Sequence, residues 1–186
     1  MRNQQLASAT ATLKAKATAG IPRIGNVALT DKTIYLNVAI KGQAGTVDII
    51  DVQTKREVGI TNLDGNKLNS GRDYVIDGVR VLVDSASKAD IKTSTWVPAN
   101  GTNLDPAFLN AEFRLKQEGN VLIDMPITDL SGEGDIHNLF RAISTSPLLR
   151  SNLEFEMEIE YPKGTTVDNA TAHNVRFEFR ATQAKL

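Results

Sequence analysis

Glu154, Glu156, Glu158 and Glu160 alternate with Leu153, Phe155, Met157, Ile159 and Tyr161. In an extended strand alternate side chains share a face, so this spacing lines up the carboxylates about 6–7 Å apart. Glycosidases place their acid and its partner carboxylate at comparable separations. That chemistry also needs an enclosing cleft with aromatic walls, and aromatic residues are only 5% of this chain. Carboxylates in a row repel one another, so cations must face them. Arg176 and Arg180 alternate with Val175, Phe177, Phe179 and Ala181 in the same way. Pairing residues 153–161 with 175–181 would bring both arginines to the acidic face. The expectation is a charge ladder of Glu154, Glu156, Glu158, Glu160, Arg176 and Arg180 at a surface or subunit interface, not an active site.

Other candidates for chemistry are thinner. His137 and His173 are the only histidines, and Asp168 near His173 is too small a set for a metal site. The chain has no cysteine, which removes disulfides, thiolate nucleophiles and the common structural zinc sites and fits a reducing compartment. No serine sits in a G-x-S-x-G turn. Ser131-Gly132-Glu133-Gly134-Asp135 lacks the Gly-Lys-Ser/Thr ending of a phosphate loop, and its carboxylates would repel phosphate. Asn62 to Asn66 has its glycine misplaced for a calcium loop and no distal glutamate. The residues therefore predict no catalytic set, no metal and no cofactor.

Charge divides the chain. Of its 21 Lys and Arg and 22 Asp and Glu, residues 1–23 hold Arg2, Lys14, Lys16 and Arg23 and no acid, leaving 17 basic against 22 acidic residues in the rest. This first segment is rich in Ala, Thr and Gln and too poor in apolar side chains to offset its own ordering entropy. It reads as a mildly basic arm, with a nascent helix over 4–17, ahead of a mildly acidic body at 24–186. Its four cations are candidates for contacts to other subunits or to nucleic-acid phosphates. No run of 18 apolar residues predicts a membrane span, and the N-terminus shows no secretory leader.

The elements that must position these groups are strands. Period-2 patterning predicts them at 24–29, 33–40, 46–52, 91–97, 111–116, 121–125, 153–161 and 175–181. Residues 74–76 and 79–83 flank Asp77-Gly78 either as a tight hairpin with a type I′ turn or as one long strand bulged at the glycine, and the three-residue first arm favours the bulge. Hairpins are expected between 33–40 and 46–52, and between 111–116 and 121–125. One helix is expected from a cap at Asp135 through Ile136, Leu139, Phe140 and Ile143. Strands in succession without interleaved helices predict an all-β, two-sheet antiparallel sandwich of jelly-roll or Greek-key connectivity.

With its arm at 1–23 and strand-rich body at 24–186, the chain resembles the jelly-roll coat and vertex proteins of icosahedral viruses and phages. The resemblance implies a homo-oligomeric shell subunit without enzymatic activity, a virion location, and contacts to copies of itself and to other shell proteins. Nucleic acid would meet the arm. The arm is less basic than those that package nucleic acid, which favours neighbouring subunits as its target. The rival reading is a cytoplasmic, non-catalytic binding module of the carbohydrate-binding or adhesin type. That reading calls for an exposed aromatic platform built from Trp96, Tyr74 and Tyr35.

Overall fold

The computed structural model describes residues 3–4, 6–8, 10–11, 27–86, 88–99, 102–131 and 140–185. Arg2, Lys14, Lys16, Arg23 and His137 lie outside these residues. Ten strands follow in order: β1 Ala28–Ile40, β2 Thr46–Asp48, β3 Arg72–Asp84, β4 Trp96–Pro98, β5 Glu112–Gln117, β6 Asn120–Pro126, β7 Arg141–Ala142, β8 Leu148–Leu149, β9 Phe155–Glu160 and β10 His173–Lys185. All pairings are antiparallel.

One sheet runs β1-β10-β3, and β4, β7 and β8 share the far edge of β3 end to end. The other runs β2-β9-β5-β6. The partners nest: β1 with β10, β2 with β9, β3 with β7 and β8, β5 with β6. Successive pairs fall in alternate sheets. The chain is thus one long antiparallel ribbon, doubled back at the β5–β6 turn and rolled up, which is the jelly roll. The tip of the ribbon is a two-residue turn in which Glu118 and Gly119 both take positive φ, 50° and 74°. A type I′ turn demands that geometry, and its twist matches the strands it joins.

The pairing of 153–161 with 175–181 does not occur. β9 and β10 lie in different sheets and meet face to face. Phe155, Met157 and Ile159 point into the core from one side, and Val175, Phe177 and Phe179 from the other. Phe113 of β5 stacks on Phe177 with ring centroids 5.2 Å apart and lies 5.9 Å from Phe179. Phe108, from the one-turn helix Pro106–Leu109, sits edge-on to Phe177 at 6.4 Å. These rings join the two layers at their centre.

The hairpin expected between 33–40 and 46–52 is also absent, since β1 and β2 belong to different sheets. The connection carries the chain across the sandwich, helped by Gly42 and Gly45 at φ 63° and 69°. The strand expected at 91–97 is a 3₁₀ turn at Ile91–Thr93 followed by the short β4. Of the helix expected from Asp135, residues 135–139 lie outside the described ones, and where its last turn was expected, Arg141–Ala142 is strand paired with Gly78 and Val79. Residues 74–83 form one strand and not a hairpin, and the bulge falls on Asp77, one residue before the glycine expected to carry it. The β3–β10 register shifts between Arg180 and Ala181, which partner Gly78 and Ile76 and leave Asp77 as the extra residue.

The free edge of β1 is not left open. Residues 59–62 lie along it: Asn37 N donates to Ile60 O at 2.8 Å, Thr61 Oγ1 to Tyr35 O at 2.7 Å, and Tyr35 N to Asn62 Oδ1 at 3.0 Å. Covering an edge with a loop removes a template for unwanted strand addition.

Candidate functional site

Both sheets turn a charged face outward, and the two faces are built differently. On the β2-β9-β5-β6 sheet, Glu158 and Glu160 face β5, which presents Glu112, Arg114 and Lys116. Lys116 Nζ lies 2.6 Å from Glu158 Oε2. Arg114 reaches three carboxylates, with Glu160 at 2.5 Å, Glu112 at 3.1 Å and Asp124 at 3.3 Å. Glu112 and Glu160 stand directly opposite one another in register. Like charges so placed repel, and the Arg114 guanidinium sits between them as the compensating cation. Glu154 and Glu156, both exposed, have no ion-pair partner among the described residues. The acidic ladder therefore exists, but Arg114 and Lys116 answer it in place of Arg176 and Arg180. The pattern Glu112-Phe113-Arg114-Leu115-Lys116 carried that signal, since it alternates as β9 does.

Arg176 and Arg180 belong to the outer face of the other sheet. There Glu178, whose side chain is 7% exposed, lies between two arginines. Arg80 of β3 places Nε and Nη2 each 2.6 Å from Glu178 Oε2. Arg176 takes the other oxygen, donating from Nε to Oε1. Each guanidinium also rests on an aromatic ring, Arg80 at 4.3 Å from the Phe140 centroid and Arg176 at 4.1 Å from that of Tyr35. Arg176 further donates to Asn37 Oδ1 at 3.3 Å, so the network runs from β3 across β10 to β1. Arg180 pairs with the bulge residue, Asp77 Oδ1, at 2.6 Å. The bulge thus aims a carboxylate at Arg180, and Gly78 leaves room beside it: a Cβ there would stand 3.2 Å from Phe140 Cβ and 3.3 Å from Arg180 Nη2.

The three aromatics named for a sugar platform do not form one. Tyr74 is buried and hydrogen-bonded to Gln183. Tyr35 and Trp96 do come together, but around the Arg176 guanidinium, at 4.1 and 5.8 Å. His173 begins β10 opposite Ile40. Asp168 is held below the usual carboxylate range mainly by the Ala170 backbone N–H, with His173 a small contribution. Among the described residues no group of three or more His, Asp or Glu is gathered for a metal ion.

At the end of β3, Asp84 organises the loop that follows. Its Oδ1 accepts from Thr95 N at 2.9 Å and Ala86 N at 3.3 Å, and its Oδ2 from Lys88 N at 2.5 Å. Burial pushes its pKa up, but the three backbone N–H donors outweigh burial and hold it below the ordinary value. A depressed folded-state pKa contributes stability that is present above the unfolded value and lost as pH falls through the folded one. Asp84→Asn is expected to cost about 1–3 kcal/mol near neutral pH. In urea melts, the gap between variant and parent should close as pH drops below about 4.

A second apolar patch lies on the outer face of the β1-β10-β3 sheet. Val75 and Ala184 are fully buried there, covered by Leu148, Val27 and Leu6. Leu6 belongs to the N-terminal segment, whose described residues 3–4, 6–8 and 10–11 are helical. In that helix Thr10 Oγ1 donates to Leu6 O at 2.8 Å. Close to the patch in β3, Asp73 accepts from Ser151 N and Oγ through Oδ1, both at 2.8 Å, while its buried Oδ2 has no hydrogen-bond partner.

No protein-family model matches the chain, and no curated protein is detectably similar to it.

Proposed function

We propose that this chain is a self-assembling shell subunit of the virus or phage coat type, acting through contacts with copies of itself and not through catalysis. The observation that carries this reading is the seat of Leu6. Leu6 packs on the outside of the jelly roll, against the Val75, Ala184 and Leu148 patch, and none of the described N-terminal residues belongs to the core between the sheets. A segment docked on an outer face can be supplied by a neighbouring copy as readily as by its own chain, which is how exchanged elements bind subunits together. The two outer faces, with their fixed charge networks, are the remaining contact surfaces, and Glu154 and Glu156 offer unpaired acceptors on one of them. On this reading the protein resides in the virion, and Arg2, Lys14, Lys16 and Arg23 meet neighbouring subunits or nucleic acid. The rival binding-module reading has less support, since Tyr35 and Trp96 each turn a face to Arg176 and Tyr74 is buried. No helix among the described residues is long and apolar enough to cross a membrane.

The test is size. Light scattering and electron microscopy of the purified chain should show rings or shells, and deletion of residues 1–22 should reduce them to small species while the body stays folded. A monodisperse monomer at high concentration would sink the shell reading. Assembly that survives the deletion would remove the arm from it.

A further inference from the structure

Where β1 begins and β10 ends, the long connection between β2 and β3 folds over one end of the sandwich and encloses a cavity of about 250 Å³. Lys32 of β1, Arg56 and Lys67 of the connection, and Arg72 at the start of β3 line it, with Asp64 as the one carboxylate on its wall. The arginines and Lys116 on the two outer faces are matched to carboxylates. None of these four has an ion-pair partner among the described residues. Gathering like charges around a concavity is unfavourable unless something of opposite charge completes it.

The floor of the cavity is polar and fixed. Tyr74 and Gln183 are each 8% exposed, and Gln183 Nε2 donates to the Tyr74 hydroxyl oxygen at 2.7 Å. The phenol is thereby an acceptor for Gln183, and its own proton has no acceptor among the described residues. Burial raises the Tyr74 pKa, more than nearby Arg72 lowers it, so the phenol keeps that proton at neutral pH as a donor. The wall is held too: Asn62 donates to Thr33 O at 2.7 Å and accepts from Tyr35 N at 3.0 Å, tying the connection to β1. Cations and a hydroxyl donor are thus in place before any ligand arrives.

We propose that this cavity binds a phosphate-bearing ligand, with Lys32, Arg56, Lys67 and Arg72 around the oxyanion and Tyr74 donating to it. A carboxylate brings one charge, whereas a phosphate monoester brings close to two and three strong acceptor oxygens, the better match to four cations offset by one acid. The phosphate can come from a small phosphoester or, since a backbone diester carries only one charge, from successive phosphates of a nucleic-acid strand. The site is independent of the shell reading, since it needs only the single chain.

Calorimetric titration of the full chain with tripolyphosphate, at constant ionic strength, should reveal one saturable site. Arg56→Ala and Lys67→Ala, both at exposed loop positions, should each weaken it about tenfold, and Lys163→Ala, on an exposed turn elsewhere, should leave it unchanged. Ribose 5-phosphate and a single-stranded oligonucleotide, titrated in parallel, separate the two sources. Saturable binding of ribose 5-phosphate assigns a small phosphoester, and binding of the oligonucleotide alone assigns the strand backbone. Absence of saturable binding with all three probes overturns the proposal, as does binding that persists unchanged in the Arg56→Ala/Lys67→Ala double variant.

Discussion

Replacing Phe177 by alanine is expected to cost about 3–5 kcal/mol, measured as the shift in urea midpoint at unchanged slope. The side chain is completely buried, and its ring touches Phe113 of the opposite sheet and Phe108 of the helix between β4 and β5. Truncation removes the transfer free energy of a large apolar group and leaves a void that three separate elements would have to move to fill. They cannot collapse far, because Phe113 is also packed on Phe179 and both layers are fixed by their ladders. Domains of this size are stable by about 5–15 kcal/mol in total, so the variant should retain only part of that margin. Val58→Ala serves as the control. Val58 is 85% exposed, and a surface truncation away from any special feature should stay within about 0.5 kcal/mol. Equal losses at the two positions would mean that the inter-sheet aromatic cluster is not the centre of stability.

The same residue shows what the sequence could and could not reveal. The alternation of Val175, Phe177 and Phe179 assigns those side chains to one face, and the structure buries all three. Alternation fixes faces but carries no information on neighbours. Two strands that each present an apolar face can lie side by side in one sheet, or face each other across a sandwich. Residues 153–161 and 175–181 satisfy both arrangements equally, and only the rolled connectivity selects the second. Turn chemistry was more telling. Glu118-Gly119 announces its hairpin, because both residues must take positive φ. Asp77-Gly78, by contrast, fits a hairpin or a bulge, and Gly78 is needed only for the space that Phe140 and Arg180 occupy beside it. The connection after Ile40 also carries glycines, but they bend the chain towards the other sheet, a destination set by the whole fold. The basic cavity was beyond reach for a related reason. Lys32, Arg56, Lys67 and Arg72 belong to no motif, and they converge only because β1 and β3 flank the same strand, β10, while the long connection passes from the free edge of β1 to the residues leading into β9.

Glu178→Ala should be the other severe substitution, although it lies on an outer face where changes are ordinarily tolerated. Its carboxylate is almost completely buried between Arg80 and Arg176, whose side chains are themselves only 23% and 17% exposed. Removing it leaves two poorly hydrated guanidinium groups facing one another with no counter-charge, and breaking a buried pair in this way costs about 3–5 kcal/mol. The size of that loss is not the net worth of the triad. Much of the attraction between the charges is consumed in removing them from water, so replacing Arg80, Arg176 and Glu178 together by apolar residues of similar volume should cost far less than Glu178→Ala alone. Thermal melts of the two variants distinguish the cases: a triple variant at least as damaged as the single one would show the network to be a genuine source of stability. The ordering of those two melting temperatures also bears on function. If the triad adds little to the stability of the isolated chain, the fixed position of Arg80 and Arg176 over Phe140 and Tyr35 needs another explanation, and the oriented subunit contact of the proposed shell would supply it. On the proposed shell reading, the triple variant should then fold normally and fail to assemble, a result that light scattering on the same samples would show directly.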